Sequence, residues 1–385
     1  MIVVIADDLT GAAEIGGIGL SYGLSVEVNM GMDLKSRADL LIIATDSRSM
    51  PRKQALLKTA ELSAALYSIK PALIYKKVDS VLRGHIVAEL NIHLHQLDLP
   101  KALLVSANPA FGRVLTNGYY YVNGVPVHLT SFADDPEFPI SSSNVFDMLR
   151  IDHDEVSLHI KDDELPATGI IVGECATEED LTDWARKADD DTLMAGGSGF
   201  FKTLLEPACF KGKKPPSAMP AAPSQPALFV CGSAFKKSKL AVKKLSDQNG
   251  PVSFMPIEII LSEDPAQQLF EDWADEVIFL LKKYQKAVIA VHENTTDNVS
   301  VKARSLREKK AIVVQKIFEK ISIKELLIEG GSTATAILKK LNINQLFPVA
   351  EIAPGVIRMR SATKDDFFLT LKPGSYDWPM HTWDF

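Results

Sequence analysis

The sequence predicts an α/β protein of two domains, each with a largely parallel sheet covered by helices, and three observations carry that expectation. The chain has 385 residues, more than one hydrophobic core usually serves, since single cores stop growing at roughly 250–300 residues. Short β-branched apolar runs alternate with helical patterns over most of its length, which is the grammar of βαβ units. A proline-rich stretch near the middle interrupts the alternation, which then resumes.

Taken in order, the N-terminal runs Ile2–Ala6, Leu40–Ala44, Ala72–Val78 and Ala102–Ala107 read as strands, with helices over 11–24, 51–67 and 83–97 between them. They are apolar on both faces, as parallel strands covered by helices must be. After them come the turn signals Asn117-Gly118 and Asn123-Gly124 and the aromatic run Tyr119 to Tyr121. A strand over Gly169–Gly173 leads to Thr177-Glu-Glu-Asp180, which has the makings of a capped helix over 178–188. These elements are assigned to one domain, residues 1–205. Residues 206–226, in which Pro207 is followed by KGKKPPSAMPAAPSQP with five more of the 21 prolines, are the expected linker. The second domain, 227–385, repeats the grammar: strands near 228–231, 252–256, 287–291 and 326–328, helices over 236–248, 265–284, 300–321 and 333–341, then strands near 347–353 and 367–372.

Composition narrows the class. Hydrophobic residues make up 46% and charged residues 24%, the balance of a soluble globular protein. Against 42 basic residues stand 49 acidic ones, a net charge of −7, and no basic stripe invites nucleic acid. Cys175, Cys209 and Cys231 are odd in number and scattered, which fits neither a disulfide framework nor a zinc site. No apolar run approaches the ~18 residues of a membrane span and no leader pattern precedes the first strand, so the expected location is the cytoplasm.

Chemistry gathers where the strands stop. The first domain shows Asp7-Asp8-Leu9-Thr10-Gly11, then Thr45-Asp46-Ser47-Arg48, then Lys77-Val78-Asp79-Ser80 with Arg83, then Ser106-Ala107-Asn108. Parallel sheets bind ligands beyond the carboxyl ends of their strands. Each such Asp or Ser alone has an ordinary reading as a helix cap; four successive strand ends with charged or polar residues argue for a site. In the second domain Gly232-Ser233, His292-Glu293 and Glu329-Gly330-Gly331-Ser332-Thr333 follow strands. Glycine with a hydroxyl at a helix N-terminus suits phosphate, because free N–H groups and the positive dipole end point at the anion. Neither GxxxxGK[ST] nor GxGxxG after a strand is present. A phosphatase of the haloacid dehalogenase type needs two carboxylates one residue apart, whereas Asp7 and Asp8 are adjacent. His93 and His95 lie two apart in an expected helix and face different ways, which argues against a metal pair.

Several segments together resemble the four-carbon acid sugar kinases: IADDLTGA at 5–12, KKVDSVLRG at 76–84, NPAFGR at 108–113, GGSGF at 196–200, CGS at 231–233, EGGSTA at 329–334, APG at 353–355 and LTLKPG at 369–374. The resemblance runs through nearly the whole chain. It implies an ATP-dependent kinase that phosphorylates the terminal hydroxyl of threonate, erythronate or 3-oxo-tetronate, with Mg²⁺ and with the active site in the interdomain cleft. By position it implies substrate contacts from Asp7, Asp8, Arg48, Lys77, Val78, Asp79, Ser80 and Arg83, and nucleotide contacts from Ser233, Gly330, Gly331, Ser332, Thr333 and Gly374. Three places depart from the family pattern: Ala234-Phe235-Lys236 stands where a second serine is usual, the terminal run reads LKPGSYDWP, and the NPAF segment is shorter than usual before Gly112-Arg113.

For the chemistry, a bidentate arginine, Arg48 or Arg83, is the expected clamp of the substrate carboxylate. Lys77 is a compact cation for substrate or transferring phosphate. Asp7, Asp8 and Asp79 are the candidate bases, with Asp7 favoured; the ordinary reading of Asp79 is an ion pair that shapes its loop. Two other readings stay open at this point, a phosphohydrolase with Asp8 as nucleophile and a non-catalytic sugar-acid binding protein. The expected partners are small molecules, with no membrane, and a homodimer is left open.

Overall fold

A computed structural model describes the chain apart from residues 136, 152–155, 207–221, 233–235, 293–302, 365 and 375. The chain divides into two compact units, Met1–Pro215 and Pro216–Phe385. Most of the stretch expected as the linker, residues 207–221, lies outside the described residues.

The first unit runs β1 (Ile2–Ala6), α1 (Leu9–Ser21), β2 (Val26–Asn29), β3 (Leu40–Ala44), α2 (Arg52–Ile69), β4 (Leu73–Lys77), α3 (Ile86–Leu97) and β5 (Lys101–Val105). It continues with β6 (Arg113–Thr116), β7 (Tyr119–Val122), β8 (Val125–Pro126), α4 (Val145–Leu149), β9 (Val156–His159), β10 (Gly169–Gly173), α5 (Glu178–Ala185), β11 (Thr192–Gly196) and α6 (Ser198–Leu205). Its main sheet has the order β2-β3-β1-β4-β11-β5-β10-β9, and every pair is parallel. Central strands are buried on both faces; Val3, Val4, Leu41, Ile42, Leu103 and Leu104 are all inaccessible. That explains why they read as unbroken apolar runs. The two Asn-Gly pairs are the turns of a small antiparallel sheet, β6-β7-β8, and Thr177 with Asp180 forms the capping box expected of α5.

The second unit runs β12 (Ala227–Val230), α7 (Lys236–Asp247), β13 (Val252–Phe254), α8 (Ile257–Leu261), α9 (Gln267–Tyr284), β14 (Lys286–Ala290), α10 (Ala303–Lys320), β15 (Glu325–Glu329), α11 (Gly331–Lys340), β16 (Gln345–Ala353), β17 (Val356–Ser361) and β18 (Phe368–Lys372). Its strands are ordered β13-β14-β12-β15-β18-β17-β16, parallel as far as β18 and antiparallel beyond. Strand β17 is an element that the apolar pattern does not reveal, because its sequence VIRMRS carries two arginines. Arg358 is nevertheless buried. Its Nε donates to Glu325 Oε1 at 2.9 Å and its Nη2 to the Ala222 carbonyl at 3.0 Å, while Glu325 Oε2 accepts from Ser224 N at 2.7 Å. A charge that looks foreign to a central strand is thus paired across the sheet and fastens the incoming chain.

Breaking a buried pair costs about 3–5 kcal/mol, as much as two well-buried aliphatic side chains contribute. Glu325→Ala should therefore lower unfolding free energy by about that much in urea titrations, whereas the double change Glu325→Leu with Arg358→Met should recover most of the loss. A single variant within 1 kcal/mol of the parent, as a rough threshold for a surface pair, would show that the pair contributes little.

Candidate active site

In the first unit the strand register decides what meets at the carboxyl edge. Ala6 pairs with both Ala44 and Lys77, and Gly196 with both Lys77 and Val105. Residues just past those positions are therefore neighbours: Asp7 and Asp8 after β1, Arg48 after β3, Lys77 to Ser80 at and after β4, and Arg83 in the following loop. Asp8 is the N-cap of α1, its Oδ1 accepting from Gly11 N at 2.8 Å. A Cβ on residue 11 would stand 2.9 Å from Asp8 Oδ1 and 3.1 Å from Lys77 Nζ, so glycine is what lets that carboxylate and that ammonium close over the first turn of the helix.

Two arginine–aspartate forks organise the edge. Arg48 donates to Asp7 through Nε at 2.9 Å and Nη2 at 2.8 Å, and its Nη1 reaches Asp8 Oδ2 at 3.2 Å. Arg83 donates to Asp79 through Nε and Nη2, both at 2.8 Å, and its Nη1 to Asp135 Oδ2 at 2.7 Å. Both arginines expected to clamp a substrate carboxylate thus have their forks on aspartates of the protein itself. Asp79 also accepts from the backbone N–H of Val81 and of Arg83, at 3.3 and 3.2 Å. These bonds hold Leu82 at φ +60°, a left-handed conformation that a leucine adopts only when its surroundings impose it. Asp79 shapes this loop.

Electrostatics separate the carboxylates. Burial raises the Asp8 carboxyl above its ordinary range, and the Asp7 carboxylate adds to that while Arg48 and Lys77 oppose it. Burial also acts upward on Asp79, but Arg83 and Arg48 overcome it and hold Asp79 well below the usual carboxylate range. Lys77 donates to the Val78 carbonyl at 2.8 Å, and Glu14 Oε2 stands 3.9 Å away.

Besides Asn108, which the strand ends had already offered, several residues at this edge were not named as site candidates from the sequence. Asn108 donates to Ser198 Oγ at 3.1 Å and Ser198 to Glu14 Oε1 at 2.7 Å, so residues from three elements brace the flank of Lys77. Arg113 donates to the Ser80 hydroxyl and Tyr120 to the Ser80 carbonyl. The guanidiniums of Arg83 and Arg113 lie 5.4 and 5.7 Å from the ring centre of Phe132. For Glu14 a signal existed, since it lies one helical turn beyond Gly11. Ser198 opens α6 after β11, and Arg113, Tyr120 and Phe132 come from the irregular segment after β5, where periodicity carries no information.

In the second unit β12, β15 and β18 end together, Glu329 opposite Lys372. Gly330 is the N-cap of α11 at φ +89°, makes no side-chain cap and has open space where a Cβ would project. The first-turn N–H groups of α11, at the positive end of its dipole, are of the kind that suits a phosphate. Gly232 belongs to the same place, as a Cβ there would lie 2.4 Å from Thr333 Oγ1. Lys372 pairs with Glu329 at 3.4 Å. Lys310 donates to the Cys231 carbonyl at 3.1 Å, and burial pulls its ammonium down to about 8. Gly330, Gly331, Ser332 and Thr333 thus form one turn, and Gly374 follows two residues after β18. Ser233 and Glu293 lie outside the described residues.

Among the described residues no group of three or more His, Cys, Asp or Glu side chains is arranged to hold a metal ion. Cys175 and Cys231 are buried free thiols, and Cys209 lies outside the described residues. His93 is buried with Nδ1 2.7 Å from Ser63 Oγ, while His95 is exposed. No described helix is long and apolar enough to cross a membrane.

Comparison with known proteins matches residues 2–204 to a sugar-binding N-terminal domain and residues 228–376 to a nucleotide-binding C-terminal domain. A D-threonate kinase of Salmonella typhimurium is 28% identical over 386 aligned residues, covering 91% of this chain and 89% of the relative. A 3-oxo-tetronate kinase of Haemophilus influenzae is 24% identical, covering 98% and 97%, and a D-erythronate kinase of Heliobacterium modesticaldum is 29% identical over 54% of this chain and 51% of its own. Solved structures of proteins from Salmonella typhimurium (TM-score 0.75, 19% identity, 98% of this chain and 96% of that one) and Haemophilus influenzae (0.69, 21%, 97% and 97%) share the fold.

The opposite shifts of Asp8 and Asp79 have opposite consequences for stability. Ionised Asp79 stabilises the folded state above the unfolded carboxylate pKa of about 3.9, and that stability is lost as pH falls through its depressed folded value. For Asp8 the raised folded value means that stability present below pH ~3.9 is lost as pH rises through it. Asp79→Asn should therefore lower unfolding free energy at pH 7 by about 2–4 kcal/mol, with the gap to the parent narrowing on acidification. Asp8→Asn, which keeps an N-cap oxygen, should leave stability at pH 7 unchanged or raise it. Urea titrations across pH 3–8 check both signs; equal losses from the two variants would refute this separation.

Proposed function

The chain belongs to the four-carbon acid sugar kinase family, and on that footing we propose that it is an ATP-dependent kinase that phosphorylates the terminal hydroxyl of a four-carbon acid of the threonate, erythronate or 3-oxo-tetronate type. What carries the reading is that relatives so named align with both units, nearly end to end, so that the likeness is to the whole enzyme and not to a nucleotide-binding module alone.

Phosphoryl transfer asks the protein for an aligned hydroxyl and for neutralised charge. In this reading the acid sugar occupies the edge made by Asp7, Asp8, Arg48, Lys77, Val78, Asp79, Ser80 and Arg83. Asp7 takes the proton of the terminal hydroxyl. Arg48 holds it by two hydrogen bonds, which fixes the carboxylate's direction and leaves lone pairs for the substrate. Lys77 faces developing negative charge as a compact cation, kept in place by the Val78 carbonyl and by Glu14. Asp79 acts one step removed, through the loop that presents Ser80 and Arg83. Gly330 to Thr333, with Ser233 and Gly374, hold the nucleotide at the N-terminus of α11. MgATP supplies the phosphoryl group and, through Mg²⁺, further charge neutralisation.

A phosphohydrolase with Asp8 as nucleophile is less well supported, since one Asp8 oxygen is spent on capping α1 and the other faces Arg48. Incubation with ATP, Mg²⁺ and a panel of four-carbon acid sugars should form ADP in a substrate-dependent way, and Asp7→Asn should reduce turnover at least ~10²-fold. Phosphate released from phosphate esters without ATP would favour the hydrolase. Acid binding with no ADP would favour a binding protein. Near-parental turnover by the Asp7 variant would remove Asp7 from the role of base.

A further inference from the structure

We infer that Arg113 is the residue that receives the carboxylate of the acid substrate, and so sets the preference for an acid over a neutral sugar alcohol. The inference rests on the acid-sugar reading above. Its starting point is the state of the three guanidiniums at the edge of the first unit. Arg48 has Nε, Nη1 and Nη2 on Asp7 and Asp8, and Arg83 has the same three nitrogens on Asp79 and Asp135. Arg113 differs. Its recorded partners are the Ser80 hydroxyl, through Nη1, and the ring of Phe132; among the described residues no carboxylate lies within ion-pair distance of it. Nε and Nη2 form an edge of the planar fork suited to a bidentate carboxylate.

The position is built. Arg113 and Asn108 exchange backbone hydrogen bonds, Asn108 N to Arg113 O at 2.8 Å and Arg113 N to Asn108 O at 3.1 Å, closing the turn through Gly112 at φ +65°. Phe132, 7% exposed, underlies both Arg113 and Arg83. Ser80, the Arg113 partner, ends the segment assigned to substrate contact, and its carbonyl is held by Tyr120. Arg113 is itself half-buried. A partly desolvated cation with no counter-charge favours an incoming anion, whereas a carboxylate approaching Arg48 or Arg83 must first displace an aspartate.

The test uses the intact protein and the variants Arg113→Ala and Arg113→Lys. Calorimetry follows binding of D-threonate, D-erythronate and the matching uncharged tetritols; ADP formation follows turnover. Arg113→Ala should weaken acid binding and raise KM for the acid about 10–100-fold, the loss of one charge-assisted bidentate contact. KM for ATP and the melting temperature should be unchanged, and tetritol binding should change less than acid binding. Arg113→Lys, which keeps the charge but not the fork, should recover part of the loss. Acid affinity that survives Arg113→Ala, or an equal fall for acid and tetritol with a lowered melting temperature, would overturn the inference and leave the kinase reading standing. Acid binding by the parent that Arg113→Ala abolishes, without ADP formation in either, would support the inference and overturn the kinase reading. A parent that neither binds nor phosphorylates any of these acids overturns both.

Discussion

Buried charge at the ends of parallel strands has to be paired, and the first unit depends on how that pairing is done. Asp7 and Asp79 are each less than 10% exposed, in surroundings where a lone carboxylate would be forced to protonate. Each instead carries an arginine fork. The forks do three things at once: they pair the buried charges, they fix the direction of the carboxylates' remaining lone pairs, and through Asp79 they bend the chain at Leu82 so that Ser80 and Arg83 face the same edge. The arginines are consequently part of the scaffold of the site. That changes which cation is available for a substrate, and it directs attention to Arg113.

The second unit meets a similar demand with backbone. Its turn after β15 gathers N–H groups at the start of α11, and the glycines keep side chains out of the way: Gly330 through its positive φ and the space before it, Gly232 through its contact with Thr333. Lys372 and Glu329 neutralise each other beneath that turn. The units therefore present different chemistries at corresponding strand ends, carboxylates with cations in one and helix N–H groups in the other.

Much of this was legible in the linear sequence, for reasons that can be named. Unbroken apolar runs revealed most of the central strands, because such strands are covered on both faces, but β11, between β4 and β5, was not read from the pattern. Residues just after those runs revealed most of the carboxyl edge, because parallel strands all point their ends the same way. Legibility failed where neither rule operates. β17 was hidden because a buried Arg358 looks like a surface residue until Glu325 is seen beside it. Arg113, Phe132, Tyr120 and Asp135 come from a segment of short antiparallel strands and turns, whose arrival at the edge depends on long-range contacts that no local period encodes.

By itself the sequence determined the α/β class, the strand ends as the place of chemistry, the family, and the residue types present there, since these follow from local periodicity and from short motifs. Tertiary structure alone decided who pairs with whom. Arg48 on Asp7, Arg83 on Asp79 and Asp135, and Arg113 with no carboxylate within reach among the described residues are outcomes of register and loop path, separated by 41, 4 and 52 residues in the pairs that form. Hydrogen-bond reach is a few ångströms, and only a folded chain places groups so far apart in sequence within it.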